Sequence, residues 1–193
     1  MGFAYYRRLG RRQRAIVRRS DAIRTLPLPE AALPRLRVMA SVIEGPLAAD
    51  DRCTLERVAA RFTLALLAAF GVEPVGLRVH AHRPRAAGSE LHGLYVREPG
   101  TRSLIHVWMR TAVRGRPVRY RTFLRTLLHE ICHHLDYTLL ALPDSFHTRG
   151  FYQRESDLMR RLAPRRTERS DPTPSHPSPA SPPAHEKQLS LFD

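Results

Sequence analysis

Leu128-His129-Glu130-Ile131-Cys132-His133-His134 decides how this chain is read, and it sits inside an apolar-periodic run from Arg119 to Leu140. On an α-helix each residue advances about 100°, so His129 and His133 fall about 40° apart in angle and one turn apart along the axis. Two imidazoles so placed can bind one metal ion together. Glu130 lies at their flank, where a general base acting on a metal-bound water belongs. Leu127, Leu128, Ile131, Leu135, Leu139 and Leu140 supply the buried surface such a helix needs. The pattern predicts a Zn2+ site with His129 and His133 as ligands and Glu130 as catalytic base.

A third ligand has to come from outside the motif. His147 is the first candidate, because the Leu142-Pro143-Asp144 break can turn the chain back toward the metal. Glu155, on the next helical stretch, is the alternative. Asp136 shares the ligand face, seven residues after His129. It suits better the role of acceptor for a ligand's other ring N–H. His134 points about 100° from His133 and is not expected to bind metal. Cys132 reads as a small packing residue. Of the remaining histidines, His106 is the one expected to look into the cleft.

Outward from the motif, the chain reads as α+β. Leu55 to Phe70 has helical apolar spacing, with Gly71 as a natural stop. Leu77 to His82, Leu91 to Arg97 and Leu104 to Thr111 read as strands, the last with Ile105, Val107 and Met109 on one face. That last strand is expected at the sheet edge, where a peptide could add. His147 to Leu162 is a final helix. Val38 to Ile43 ends a short helix before a Gly45-Pro46 break.

Charge and composition narrow the partners. The 193 residues carry a net charge of +14, and Lys187 is the only lysine. Such an excess of arginine favours a polyanion, most often nucleic acid. Residues 2 to 25 are especially basic. A helix there would present Arg7, Arg8, Arg11, Arg12, Arg18 and Arg19 to DNA in a sequence-independent way. Two cysteines, Cys53 and Cys132, make no disulfide framework, so a reducing cytoplasm fits. The N-terminus lacks an apolar signal core, and the longest apolar stretch is too short for a bilayer. A cytoplasmic protein with no membrane partner is expected.

From Pro164 the composition shifts to proline, serine, threonine and charge, which marks residues 164–187 as a disordered linker. The expected organisation is a basic helical region over residues 1–45, a catalytic domain over 46–163, the linker, and a short motif over 188–193.

Leu128 to His134 followed by Ser145-Phe146-His147-Thr148-Arg149-Gly150-Phe151 resembles the SprT-like (Spartan-type) metallopeptidase domain over about residues 50 to 163. The resemblance implies a minimal zincin-like fold: a small mixed sheet, an HExxH helix, then a histidine on the way into a last helix. By it, His129, His133 and His147 bind zinc and Glu130 is the base. The chain departs from the family in having Thr148 directly after its third histidine, with Gly150 and Phe151 further on. Its two cysteines also cannot build the four-cysteine ribbon of many bacterial members. Gln188-Leu189-Ser190-Leu191-Phe192 resembles the bacterial sliding-clamp-binding motif. Two leucines and a phenylalanine in an otherwise polar tail call for a receiving pocket.

Together these readings predict a zinc metalloendopeptidase acting on protein at or near DNA. The resemblance implies removal of crosslinked or stalled proteins there. Two other classes fit parts of the sequence: a clamp-tethered DNA-binding accessory protein with structural zinc, and a cytosolic regulatory or toxin-type peptidase with one protein target.

Overall fold

The computed structural model describes residues 6–82, 92–111 and 115–163, with Arg7 in its backbone only. Within them the chain forms α1 (Arg11–Ala22), α2 (Leu33–Ser41), α3 (Glu44–Ala48), α4 (Arg52–Phe70), β1 (Gly76–His80), β2 (Gly93–Val96), β3 (Leu104–Trp108), α5 (Tyr120–Thr138) and α6 (Arg149–Leu162). This is a mixed α+β arrangement around a three-stranded mixed sheet. Among the described residues no helix is long and apolar enough to cross a membrane.

Local chemistry sets most boundaries. Asp51 caps α4 by accepting from the Thr54 N–H at 3.0 Å, and Gly71 ends that helix in the left-handed region at φ 67°. Thr148 caps α6 through the Phe151 N–H at 3.1 Å. Gly45 and Pro46, read as a break, instead lie within α3. Pro46 falls in the first turn, where its missing N–H leaves no intrahelical bond unmade.

The sheet order is β1-β3-β2, with β1 parallel and β2 antiparallel to β3. This corrects the expected placement of the Leu104 strand: β3 is central, and β1 and β2 are the edges. Alternation in a strand reveals which residues share a face, not which strands are neighbours. Leu77, Val79, Ile105 and Val107 point to the buried face, and the register pairs Leu77 with Ile105 and Val79 with Val107. Tyr95 pairs with Ile105 and Gly93 with Val107, so both lie on that same face, toward α5. His106 lies on the opposite face and meets His80 at 2.8 Å, so it does not look into the cleft.

One buried apolar cluster runs from Leu26 to Ala163 and joins residues on both sides of residues 45 and 46. Leu33, Leu36, Ala40 and Ile43 share it with Leu66, Phe123, Leu127 and Leu158. α2 and α3 therefore pack as part of the same core. On α1, Val17 and Ser20 are the buried positions, and they face α6.

Candidate metal centre

α5 presents His129 and His133 on one face, and the segment between α5 and α6 brings His147 against them. The Nε2 atoms of His129 and His147 lie 2.9 Å apart, and those of His133 and His147 lie 3.1 Å apart. Ligand atoms of all three fall within 4.8 Å of one another, close enough to hold a metal ion. In a tetrahedral zinc site with imidazole ligands, neighbouring nitrogens are about 3.3 Å apart. Phe151 packs its ring against all three imidazoles, with centroids 4.9, 4.7 and 5.2 Å from His129, His133 and His147.

The outer ring nitrogens fix the tautomers. His129 Nδ1 lies 2.9 Å from a Glu155 oxygen, so it carries a proton and leaves Nε2 with its lone pair inward. Glu155 also takes a hydrogen bond from Arg125 at 3.0 Å. It therefore stands behind His129 rather than within the nitrogen cluster. His133 Nδ1 lies 2.7 Å from Ser145 Oγ. The Ser145 hydroxyl spends its one proton on Asp136 Oδ2 at 2.8 Å, so it can only accept from His133. His133 Nε2 is again the free lone pair. Asp136 thus serves His133 through an intervening hydroxyl.

Electrostatics agree with that assignment. Burial first, then the neighbouring His129 and His147, push the His133 pKa down to about 3. Burial likewise lowers His147. Imidazoles held neutral are what a cation needs. Two Nε2 lone pairs turned toward the third imidazole at about 3 Å make a donor set that fits a divalent metal well.

Glu130 is 5 % exposed and faces β2. A Cβ on Gly93 would come within 2.3 Å of Glu130 Oε1, so only glycine leaves the carboxylate its place. Burial raises the Glu130 pKa to about 7, partly countered by His129 and by the Tyr95 main-chain N–H. A carboxyl tuned there can both take and return a proton near neutrality.

Other residues fall outside the cluster. His134 is held by the Tyr95 hydroxyl at 3.1 Å and the Glu73 carbonyl at 2.9 Å. Cys132 is fully buried in the core. Arg8, Arg11, Arg12, Arg18 and Arg19 are exposed, and Arg19 is also tied to the Leu140 and Ala141 carbonyls at 2.7 and 3.3 Å, just past the end of α5. Gln188, Leu189, Ser190, Leu191 and Phe192 lie outside the described residues, as does the linker before them.

Sequence reasoning passed over Gly93, Tyr95, Ser145 and Arg154. A signal existed for the last. Phe151, Arg154, Glu155, Leu158 and Leu162 recur at helical spacing, which places Arg154 on the buried stripe of α6. A cavity of about 610 Å³ is lined by Arg24, Arg149, Tyr152 and Arg160, and the Tyr152 ring at its margin stacks on His147. Comparisons with protein-family models, with curated proteins and with solved structures found no match for this chain.

Proposed function

We propose that this chain is a zinc-dependent metalloendopeptidase of the minimal zincin type, a divergent relative of the SprT-like domains, working on protein at or near DNA. The observation that carries the proposal is the convergence of His129, His133 and His147 with a buried Glu130 one residue along the same helix. Structural zinc sites are closed by four protein ligands. Among the described residues three donors converge, which leaves a position for water or substrate and disfavours a purely structural role.

Bound zinc supplies Lewis acidity, lowering the pKa of a coordinated water and polarising a carbonyl. The chain's own groups supply the rest. His129, His133 and His147 offer their Nε2 atoms as donors. Glu130, with its proton affinity near neutrality, takes a proton at its carboxylate and returns it to the departing amine. β2 is a sheet edge beside Glu130, so an extended peptide pairing with it is brought to that carboxylate.

The address is read from charge and from the tail. The +14 excess and the exposed Arg8, Arg11, Arg12 and Arg18 support non-specific phosphate contact. Gln188 to Phe192 supports tethering to a sliding clamp. The test is direct. Metal analysis of the purified chain is expected to find about one zinc, as a three-histidine site requires. Glu130→Gln is expected to keep the zinc and abolish cleavage of a protein substrate presented with duplex DNA. Full cleavage by Glu130→Gln, or a chain that takes up no zinc, overturns the proposal.

A further inference from the structure

Arg154 is 0 % exposed and is a guanidinium in the interior of the domain. Burying such a group is costly unless its donors are met; among the described residues Arg154 Nε has no partner, so the two terminal nitrogens carry the compensation. Here one terminal nitrogen reaches the Ser20 carbonyl at 2.8 Å and the Ile23 carbonyl at 2.7 Å. The other reaches Ser20 Oγ at 3.0 Å and Asp136 Oδ1 at 2.8 Å. Two of these acceptors are main-chain carbonyls at and just past the end of α1. The third is a hydroxyl on its last turn, and the fourth is the carboxylate behind Ser145 and His133.

The geometry points to Arg154 as a positioning residue through which α1 holds the metal centre in shape. This inference rests on the histidine cluster being a metal site. The chain of contacts is continuous: α1 carbonyls, Arg154, Asp136, Ser145 Oγ, His133 Nδ1. Each link has one polarity. Arg154 donates to Asp136, Ser145 donates to Asp136, and His133 donates to Ser145. Reversing the Ser145 hydroxyl would leave Asp136 with one donor fewer in a buried place, so the charged pair fixes the direction. A second path runs beside it. Ser20 Oγ meets Thr148 Oγ1 at 2.8 Å, next to His147, and the Gly150 N–H donates to Asp21 at 2.8 Å. The helices touch so closely there that a Cβ on Gly150 would sit 2.1 Å from the Ser20 carbonyl oxygen. α1 therefore reaches two of the three histidines, one through Arg154 and one through the α6 cap. Arg19, tied to the carbonyls ahead of the His147 loop, is a third fastening.

The consequence is that the arginine-bearing helix is a wall of the metal site as well as a candidate surface for phosphate. The test compares zinc affinity, by competition with a chromogenic chelator, in the full chain and in Ser145→Ala, Arg154→Lys and their double variant. Groups behind metal-binding histidines are worth about 10- to 100-fold in affinity. Ser145→Ala is expected to lose on that scale with an unchanged far-ultraviolet circular dichroism spectrum. Arg154→Lys keeps charge and bulk but cannot span four acceptors, and is expected to lose a similar factor. The double variant is expected to lose little more than either alone, because both act through one path. The visible absorption of the cobalt(II)-loaded protein is expected to shift in each. Unchanged affinity and spectrum in both single variants overturn the inference, and so do fully additive losses. A wild-type chain without zinc fails the preceding proposal instead. The path is then read on the metal-free protein by imidazole ¹⁵N shifts. His133 protonated on Nδ1 in wild type and mixed in Arg154→Lys supports it, and no difference overturns it.

Discussion

On the helical wall of the cleft, both α5 histidines have their outer nitrogen committed, His129 to the Glu155 carboxylate and His133 to Ser145. On the strand wall, Glu130 forms no salt bridge among the described residues. Its carboxylate rests against Gly93 and the Tyr95 main chain, in space made by a missing side chain. Under the proposed function, the two walls solve different problems. A metal ligand needs a fixed tautomer and a fixed direction, which directed hydrogen bonds supply. A general base needs a movable proton, which partial desolvation without a strong ion pair supplies. Damage to one wall should therefore appear in metal binding, and damage to the other in turnover.

The sharpest break is His133→Ala. It removes one of three donors and is expected to weaken zinc by at least about a thousandfold, enough to purify the chain without metal. Retention of full zinc would mean that the helical wall does not hold the ion. Next is Gly93→Ala, aimed at the strand wall. The new Cβ displaces the Glu130 carboxylate, and turnover is expected to fall about a hundredfold, the scale of a misplaced general base, with zinc content unchanged. Zinc loss in this variant would erase the distinction between the walls. Glu155→Gln keeps the volume but replaces a charged acceptor with a neutral one behind His129. About a tenfold weaker zinc affinity is expected, measured by chelator competition.

The smallest effect is on the metal-free protein and separates the walls by sign. Glu130 has its pKa raised from 4.5 to about 7, so its contribution to stability is full below 4.5 and is lost as pH rises through 7. His133 is depressed from 6.5 to about 3, so its contribution is full above 6.5 and is lost as pH falls toward 3. Urea midpoints across pH 4 to 8 should show Glu130→Gln losing the decline above 4.5 while keeping the weakening on the acid side. Identical profiles for the two proteins would show that Glu130 is not desolvated.

Much of the helical wall was legible in the sequence, and much of the strand wall was not. Residues 129 and 133 share a face by helical arithmetic, and α4, α5 and α6 fall within three residues of where their apolar spacing ends. His147 could be named because a turn precedes it. β3 was misplaced at the edge because its alternation says nothing of which strands flank it. Gly93 carries no chemistry of its own. Its meaning comes from a carboxylate 37 positions later, and only tertiary structure brings the two together. Arg154 was masked for the opposite reason: arginine is abundant here, and only its place on the apolar stripe of α6, beside Phe151, Leu158 and Leu162, distinguishes the one inside from the many outside.

The contact between Ser20 and Gly150 has a consequence for how the molecule comes into being. It joins positions 130 residues apart, and the hydrogen bonds around it span similar separations. A chain emerging from the ribosome cannot complete its histidine cluster until α6 has left the exit tunnel, because the first helix has nothing to close upon. Closing so long a loop is slow, and the earliest helix must wait, polar face outward, for the last. Completion of the histidine cluster is thereby deferred until both ends of the described domain have met.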